Sequence, residues 1–236
     1  MKTIVMIFFT AMLSLNMILS CQAIESGIAF SEISPEEEEL IKSKIMITIV
    51  AEEIEPKQIE CFDINENGVI ALGIDGMDYN IINIYSNEMK YQFSYKFKTN
   101  GLYQIKWEGD KLWIYLVRGD YRLLINYTGQ IENIQKISYT NEYWNDVIKS
   151  TKIEYDGAVY EIRKPSGVMG MLSFGYSKLV KTEVDGTEQI LYNSVTHTLT
   201  NTFLFFGSFI LIIIAVILYS VRYYISYKKK LKQDPQ

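Results

Sequence analysis

Between residues 45 and 193 the apolar side chains alternate with polar ones, and β-branched and aromatic residues are frequent. This period-two pattern is typical of β-strands that bury one face. Asn-Gly and Asp-Gly pairs such as Asn67-Gly68 and Asp156-Gly157 separate the runs and favour tight turns. The pattern predicts strands near 45–50, 58–63, 69–74, 81–86, 90–97, 102–107, 111–117, 121–127, 130–138, 151–155, 158–163, 171–183 and 188–192.

Two stretches depart from this alternation and are typical of short helices. In SPEEEELIKSK, Ser34 is a suitable N-cap, Pro35 suits the first turn, and the acidic run lies at the positive end of the helix dipole. The second stretch is YWNDVIKS, which ends just before Thr151. The rest of the segment between the chain ends is predicted to be an antiparallel all-β domain.

A hairpin recurs along the chain. YRLLINYTGQIENIQKI, residues 121–137, has a turn at Thr128-Gly129, and the stretches 80–97 and 177–193 align with it. Each copy follows another strand pair: 60–74, then 101–117, then TKIEYDGAVYEIRK with MGMLSFGY. Four strands in roughly 40 residues resemble the blade of a β-propeller, without a Trp-Asp or kelch signature.

About three such units, over 58–193, fall short of the four or more blades that propellers usually need to close. Three arrangements remain open. The sheets stack as an open or twisted array, another chain completes a ring, or the repeat is the periodicity of an ordinary meander. Residues 26–50 are a candidate cover for strand edges that an open array would expose.

Both ends of the chain carry apolar segments. MKTIVMIFFTAMLSLNMILSCQA has the layout of a secretory signal peptide, with cleavage expected after Ala23. Alternatives are a lipid-bearing N-terminus at Cys21, since residues 18–21 resemble a bacterial lipobox, and an uncleaved anchor. Residues 203–221 hold no charge and, at ~1.5 Å per residue, cover roughly 28 Å, enough to cross a bilayer.

The charges beside this apolar segment predict its orientation. Arg222 and four lysines follow it, together with interfacial tyrosines, so we expect the C-terminus in the cytoplasm. The predicted organisation is then signal peptide 1–23, cover segment 24–57, β-repeat domain 58–193, linker 194–202, transmembrane helix 203–221 and basic tail 222–236. The expected location is the plasma membrane, with the β domain outside.

The chain has a formal net charge of −5, and its basic tail makes the exterior part more acidic still. Such a surface argues against nucleic acid or an anionic membrane surface as its partner. Cys21 and Cys61 are the two cysteines, so no disulfide framework is expected. Cys61 is predicted to be a buried, inert thiol; the alternative, a reactive thiol, would need His197, the one histidine, folded back onto the domain.

Few stretches carry recognisable chemistry. DINENG, Asp63 to Gly68, matches the first half of a calcium loop, but Ile74 stands where the bidentate Glu belongs, so a plain hairpin turn is favoured. Arg118-Gly119-Asp120 spells an adhesive tripeptide but is predicted to be a turn between strands. Trp107, Trp113 and Trp144 suit either a sugar-stacking surface or cross-strand and core packing, which is commoner.

No phosphate loop, nucleophile elbow or zinc set is present in the sequence, so no catalytic, cofactor or metal residues are predicted and an enzyme is disfavoured. Asp and Glu are plentiful, and spacing alone does not show whether two of them face each other. CFDINENG and WIYLVRGD resemble stretches in a group of small membrane-anchored proteins of Gram-positive bacteria. That resemblance implies no activity and no site residues.

The sequence therefore predicts a non-catalytic, membrane-anchored module that binds a protein, peptide or glycan outside the cytoplasm. The loops at 118–121 and 141–146 are the expected contact points. One alternative is a surface hydrolase of glycans that works with Asp or Glu. Another is an accessory subunit of an envelope complex that completes the sheet of a second protein.

Overall fold

The computed structural model describes residues 28–76, 78–99, 101–140, 148–173 and 175–233. The predicted signal peptide and residues 141–147, which hold Trp144 and most of the second predicted helix, lie outside these ranges. The strands are β1 Ile28–Glu32, β2 Thr48–Val50, β3 Ile59–Ile64, β4 Ile70–Asp75, β5 Asn80–Tyr85, β6 Tyr91–Phe97, β7 Tyr103–Glu108, β8 Lys111–Leu116, β9 Tyr121–Ile125, β10 Ile131–Thr140, β11 Lys152–Tyr155, β12 Ala158–Arg163, β13 Lys178–Thr182 and β14 Glu188–Asn193. The helices are α1 Pro35–Lys44, α2 Gly167–Leu172 and α3 Val195–Gln233.

The strands form three antiparallel meander sheets, and none of them closes within the described part of the chain. The first sheet has the order β2-β6-β5-β4-β3, the second β1-β10-β9-β8-β7 and the third β11-β12-β13-β14. Each unit of the predicted repeat forms the four-stranded body of one sheet. The expectation of an antiparallel all-β domain made of meander sheets is confirmed.

The segment before β3 supplies an extra strand to two of these sheets. β2 pairs with β6 and β1 pairs with β10, so both strands lie on the edges farthest from β3 and β7. An edge strand that is paired no longer offers free backbone groups to another chain. Sequence analysis did not predict β1, whose short pairing with β10 is interrupted by a register shift between Ala29 and Phe30.

The first helix follows its sequence signals. The Ser34 hydroxyl accepts a hydrogen bond from the Glu37 N–H at 3.2 Å, and Pro35 occupies the first turn. This is the N-cap arrangement that satisfies a free amide at a helix start. The buried side chain of Ile41 joins α1 to the core.

One predicted strand is wrong over half of its length. Residues 171–183 were expected to be extended, but residues up to Leu172 belong to α2 and the strand begins at Lys178. The backbone at Gly170 lies close to that at Pro165: a Cβ added at Gly170 would be 1.7 Å from the Pro165 carbonyl oxygen. The chain therefore folds back over these residues. The third strand of this unit therefore begins only at Lys178, whereas the predicted strands 151–155 and 158–163 correspond to β11 and β12.

The hairpin turns have the backbone that their residues predict. In the turn between β9 and β10, Gly129 has a φ of 74°, which a residue with a side chain rarely adopts. The Asn126 side-chain oxygen accepts hydrogen bonds from the N–H groups of Thr128 and Gln130, both at 3.0 Å. These two hydrogen bonds to the Asn126 side chain stabilise the turn.

The three sheets stack face to face, with the first sheet in the middle. Successive residues of β4 show this, since Ala71 packs in the cluster shared with the second sheet and Leu72 in the cluster shared with the third. Because side chains alternate across a strand, both faces of β4 are buried and its apolar run is continuous. Among the described residues the sheets therefore form an open stack.

The β3 and β7 strands meet where the first two sheets join. Tyr103 of β7 is fully buried, and its hydroxyl donates to the carbonyl oxygens of Ile81 at 2.8 Å and Ile74 at 3.3 Å. Gly73 leaves the necessary room, because a Cβ there would lie 2.9 Å from that hydroxyl and 2.5 Å from the Cys61 sulfur. Tyr103 therefore ties the second sheet to the backbone of the first.

Helix α3 starts directly after β14. The Ser194 N–H donates to the Ser177 carbonyl at 2.7 Å, and the buried side chains of Thr198 and Thr202 follow on one face. Most of the segment expected to be a linker, 194–202, thus forms the first turns of the helix. From Val195 to Ile225 the helix is long and apolar enough to cross a membrane.

We predict that Tyr103→Phe lowers the free energy of unfolding by about 1–3 kcal/mol, because two buried carbonyl groups lose a donor. The measurement is chemical or thermal unfolding of the full chain in detergent. Tyr127→Phe is the matched control, since the Tyr127 side chain is 71% exposed. Equal stability of the two variants would contradict the role given to Tyr103.

Candidate functional site

The DINENG stretch is a hairpin whose polar groups are already engaged. Asp63 is 2% exposed and accepts hydrogen bonds from the Lys106 ammonium and the Trp107 N–H, each at 2.7 Å. The Asn65 side-chain oxygen accepts from the N–H groups of Asn67 at 3.0 Å and Val69 at 2.9 Å. These contacts support the turn and not the calcium loop.

Burial dominates the electrostatics of this junction. It raises the pKa of Asp63, and the attraction of Lys106 and the Trp107 N–H opposes that shift. In the described part of the chain, no group of three or more His, Cys, Asp or Glu side chains is placed to hold a metal ion. Asp63 is therefore a structural carboxylate that joins β3 to β7.

Cys61 has the properties expected of an inert thiol. Its side chain is buried, and burial raises its pKa well above the usual value, with the charges of Glu60 and Asp63 acting in the same direction. A thiol in such surroundings is a poor nucleophile because the thiolate is disfavoured. His197, the partner that a reactive thiol would need, lies in the first turn of α3.

The Arg118-Gly119-Asp120 turn connects β8 to β9 as expected. A Cβ at Gly101 would lie 2.8 Å from the Arg118 Cδ, so the arginine side chain lies against Gly101. The carbonyl of Asp120 accepts a hydrogen bond from the Ile137 N–H. The tripeptide is thus an exposed turn whose arginine side chain lies against the domain.

The described tryptophans pack within the sheets. Trp113 is 6% exposed, and the Arg122 guanidinium lies 3.9 Å from the centre of its ring. Trp107 packs against the main core and lies opposite Leu112, so the two tryptophans do not pair across the strands. This supports the packing interpretation and leaves no sugar-stacking platform on these two residues.

Two polar concavities lie along the junction between the sheets, and both contain Glu60 and Leu102. The first has a volume of about 400 Å³ and lies between the first two sheets. The second, of about 410 Å³, reaches the start of the third sheet. We call their union the inner cleft; its other lining residues are Gln58, Ile59, Cys61, Asp75, Asn80, Thr99, Gly101, Tyr103, Gln104, Val117, Arg118, Lys149, Ser150, Thr151, Ile162, Gly175 and Tyr176.

A β-bulge places Glu60 in this cleft. The register between β3 and β4 shifts between Ile59 and Cys61, so Glu60 is the extra residue of the bulged strand. Bulges re-aim a side chain and are frequent beside functional sites. Asp75 ends β4 next to this point, and its N–H donates to the Gln58 carbonyl at 3.1 Å.

The two carboxylates make the cleft electrostatically unusual. Burial raises the pKa of Glu60, and the negative charge of Asp75 raises it further. Amide, hydroxyl and cationic side chains, including Gln104, Thr99 and Arg118, line the same space. The arrangement therefore suits a polar ligand that brings positive charge or hydrogen-bond donors to Glu60 and Asp75.

Sequence reasoning singled out neither carboxylate. Asp75 precedes Gly76, and such an Asp-Gly pair predicts only a turn, while Glu60 lies in a run that is typical of an ordinary strand. Their proximity depends on the bulge and on the stacking of the second sheet over the first, which strand periodicity does not predict. The 141–146 loop, which was predicted to contact a partner, lies outside the described residues.

Comparison with known proteins gives this chain no relative. No protein-family model, no curated protein and no solved structure matches it significantly. The likeness to propeller blades thus rests on the sheet geometry alone. The resemblance to membrane-anchored proteins of Gram-positive bacteria stays a prediction.

We predict that Glu60→Gln stabilises the folded protein at pH 7. Folding raises the pKa of Glu60 above its ordinary value of 4.5, so the ionised form of Glu60 destabilises the folded state. The variant lacks this charge, so its free energy of unfolding should exceed that of the wild type by on the order of 1 kcal/mol at pH 7. This difference should vanish near pH 4, where Glu60 is largely protonated in both states.

The measurement is denaturant unfolding of the full chain between pH 4 and 8. Glu66→Gln is the control, because that side chain is exposed at a hairpin turn. If the free energies of unfolding of wild type and Glu60→Gln differ by the same amount at every pH in this range, the cleft does not disfavour the ionised form of Glu60.

Proposed function

We propose that this chain is a single-pass membrane protein whose β domain lies outside the cytoplasm and binds a partner polypeptide without catalysis. The inner cleft is the binding site, and a lysine or arginine side chain of the partner lies between Glu60 and Asp75. The observation that carries the proposal is the inner cleft itself, in which a bulged strand places the partly buried Glu60 beside Asp75.

Helix α3 supports the membrane anchor. Val195–Ile225 is apolar and none of its apolar window is buried in the domain. A helix of this kind needs lipid around it, since an all-round apolar surface is not stable in water. The basic residues that follow Val221 favour a cytoplasmic C-terminus, and the β domain then faces the other side.

The cleft favours a cationic ligand for an electrostatic reason. Glu60 is partly buried and the nearby negative charge of Asp75 repels it, and an ammonium or guanidinium group between the two relieves that repulsion. The exposed side chain of Leu102 adds an apolar contact shared by both concavities. A polypeptide segment with a basic and an apolar residue satisfies both features.

A second candidate function uses the same two residues. A carboxyl group with a raised pKa beside a second carboxyl group is the kind of pair that glycoside hydrolases use, with Glu60 as the acid and Asp75 as the base or nucleophile. The packing of the two described tryptophans argues against a glycan as the substrate, because both rings contact the domain itself. Binding of a polypeptide is therefore the function that we favour.

The test is photo-crosslinking in intact cells with benzoylphenylalanine in place of Leu102, whose side chain is 59% exposed. We expect a discrete protein adduct, and we expect Glu60→Gln combined with Asp75→Asn to lower its yield by about tenfold or more, since charged hydrogen bonds are lost. Glu66→Gln with Asp78→Asn removes the same charge elsewhere on the first sheet and is the matched control.

The outcomes separate the two candidate functions. A binding module loses its adduct in the cleft variant and keeps it in the control. A hydrolase would form glycan adducts, and Glu60→Gln alone would increase their yield because turnover stops while binding remains. A protein adduct that is unaffected by the cleft variant would overturn the proposed site.

A further inference from the structure

Helix α2 exposes apolar side chains to an unusual degree. Val168 is 74%, Met171 85% and Leu172 41% exposed, although α2 spans only Gly167–Leu172. Scattered apolar residues on a surface are ordinary, but three within one short helix form a continuous apolar tip.

The topology places this tip at the end of the third sheet from which α3 leaves. Arg163, Lys178 and Asn193 are the matching ends of β12, β13 and β14, since they pair in one row across the sheet. Helix α2 connects the first two of these strand ends, and α3 begins just after the third. The turn between β13 and β14 lies at the opposite end of the sheet, roughly 17 Å away for five residues of strand.

The tip also lies level with the apolar part of α3. Leu172 shares an apolar concavity of about 600 Å³ with residues of α3 from Phe203 to Leu211. These residues belong to the apolar run that begins at Phe203. Leu172 therefore lies at the depth at which the apolar stretch of α3 begins, beyond the polar first turns that contain Thr198 and Thr202.

The connection is held in place from the domain side. The Lys164 ammonium donates to the Ser173 carbonyl at 3.2 Å, and the Ser173 hydroxyl donates to the Gly175 carbonyl at 3.1 Å. The close approach of Gly170 to Pro165 leaves no room for a side chain. Contacts at both ends of α2 thus present Met171 and Val168 outward.

We infer that α2 is a second membrane contact, which inserts into the leaflet nearest the β domain and holds an acyl chain against α3. The occupant is lipid because the α2 surface is continuous with the apolar surface of α3, and both surround the concavity beside Leu172. Short apolar tips of this kind bind at the boundary of headgroups and acyl chains. The inference rests on the proposed membrane anchor.

This contact constrains the whole domain. A single helix would leave the third sheet free to tilt about its connection to α3, whereas a second contact point fixes that tilt. The segment after α2 continues through Gly175 and Tyr176, which line the inner cleft. The lipid contact thereby sets how the cleft is presented above the membrane.

The test uses the full chain in nanodiscs of phosphatidylcholine and phosphatidylglycerol, with benzoylphenylalanine in place of one residue at a time. Met171 is the test position, and Val184 in the β13–β14 turn is the matched control because it is equally exposed, at 85%. Phe209 of α3 is the positive control. After irradiation we expect lipid adducts at 171 in a yield at least about tenfold above that at 184.

The results distinguish this inference from the proposed function. Lipid adducts at 209 and none above the level of 184 at 171 would overturn the contact by α2 and leave the anchor intact. No lipid adduct at 209 would overturn the anchor itself. A protein adduct at 171 in intact cells would show that another polypeptide, not lipid, covers the tip.

Discussion

The packing of the first two sheets against each other depends on contacts that cover the edge of β7 that faces β3. This strand lies at the edge of the second sheet, where backbone N–H groups would otherwise be unpaired. The Asp63 side chain of β3 covers part of this edge, since it accepts a hydrogen bond from the Trp107 N–H at 2.7 Å. The buried hydroxyl of Tyr103 completes the junction from the β7 side.

The inner cleft is a consequence of this junction. Side chains hold β7 against β3 without continuing the backbone ladder, so the two sheets stay separate and a concave space remains between them. The bulge in β3 then turns Glu60 towards that space. There the partly buried Glu60 lies beside the charge of Asp75, and the ionised form of Glu60 is disfavoured.

The sequence predicted the sheets far better than the site. Twelve of the thirteen predicted runs match strands, and 171–183 does so only from Lys178, because alternation and turn pairs act locally; the capped helix α1 followed the same kind of signal. Strand β1 was missed because its few residues become a strand only through pairing with β10. Helix α2 was missed because MGMLSFGY is apolar enough for a strand, while the fold-back at Pro165 and Gly170 is visible only in three dimensions.

Hydrogen exchange at the Trp107 amide tests the junction most directly. In the full chain in detergent, this amide should exchange as slowly as the paired amides of β8, because it donates a hydrogen bond to the buried carboxylate of Asp63. Exchange as fast as that of the hairpin turns would show that the β7 edge is open, and would contradict the account of how the sheets and the cleft are held together.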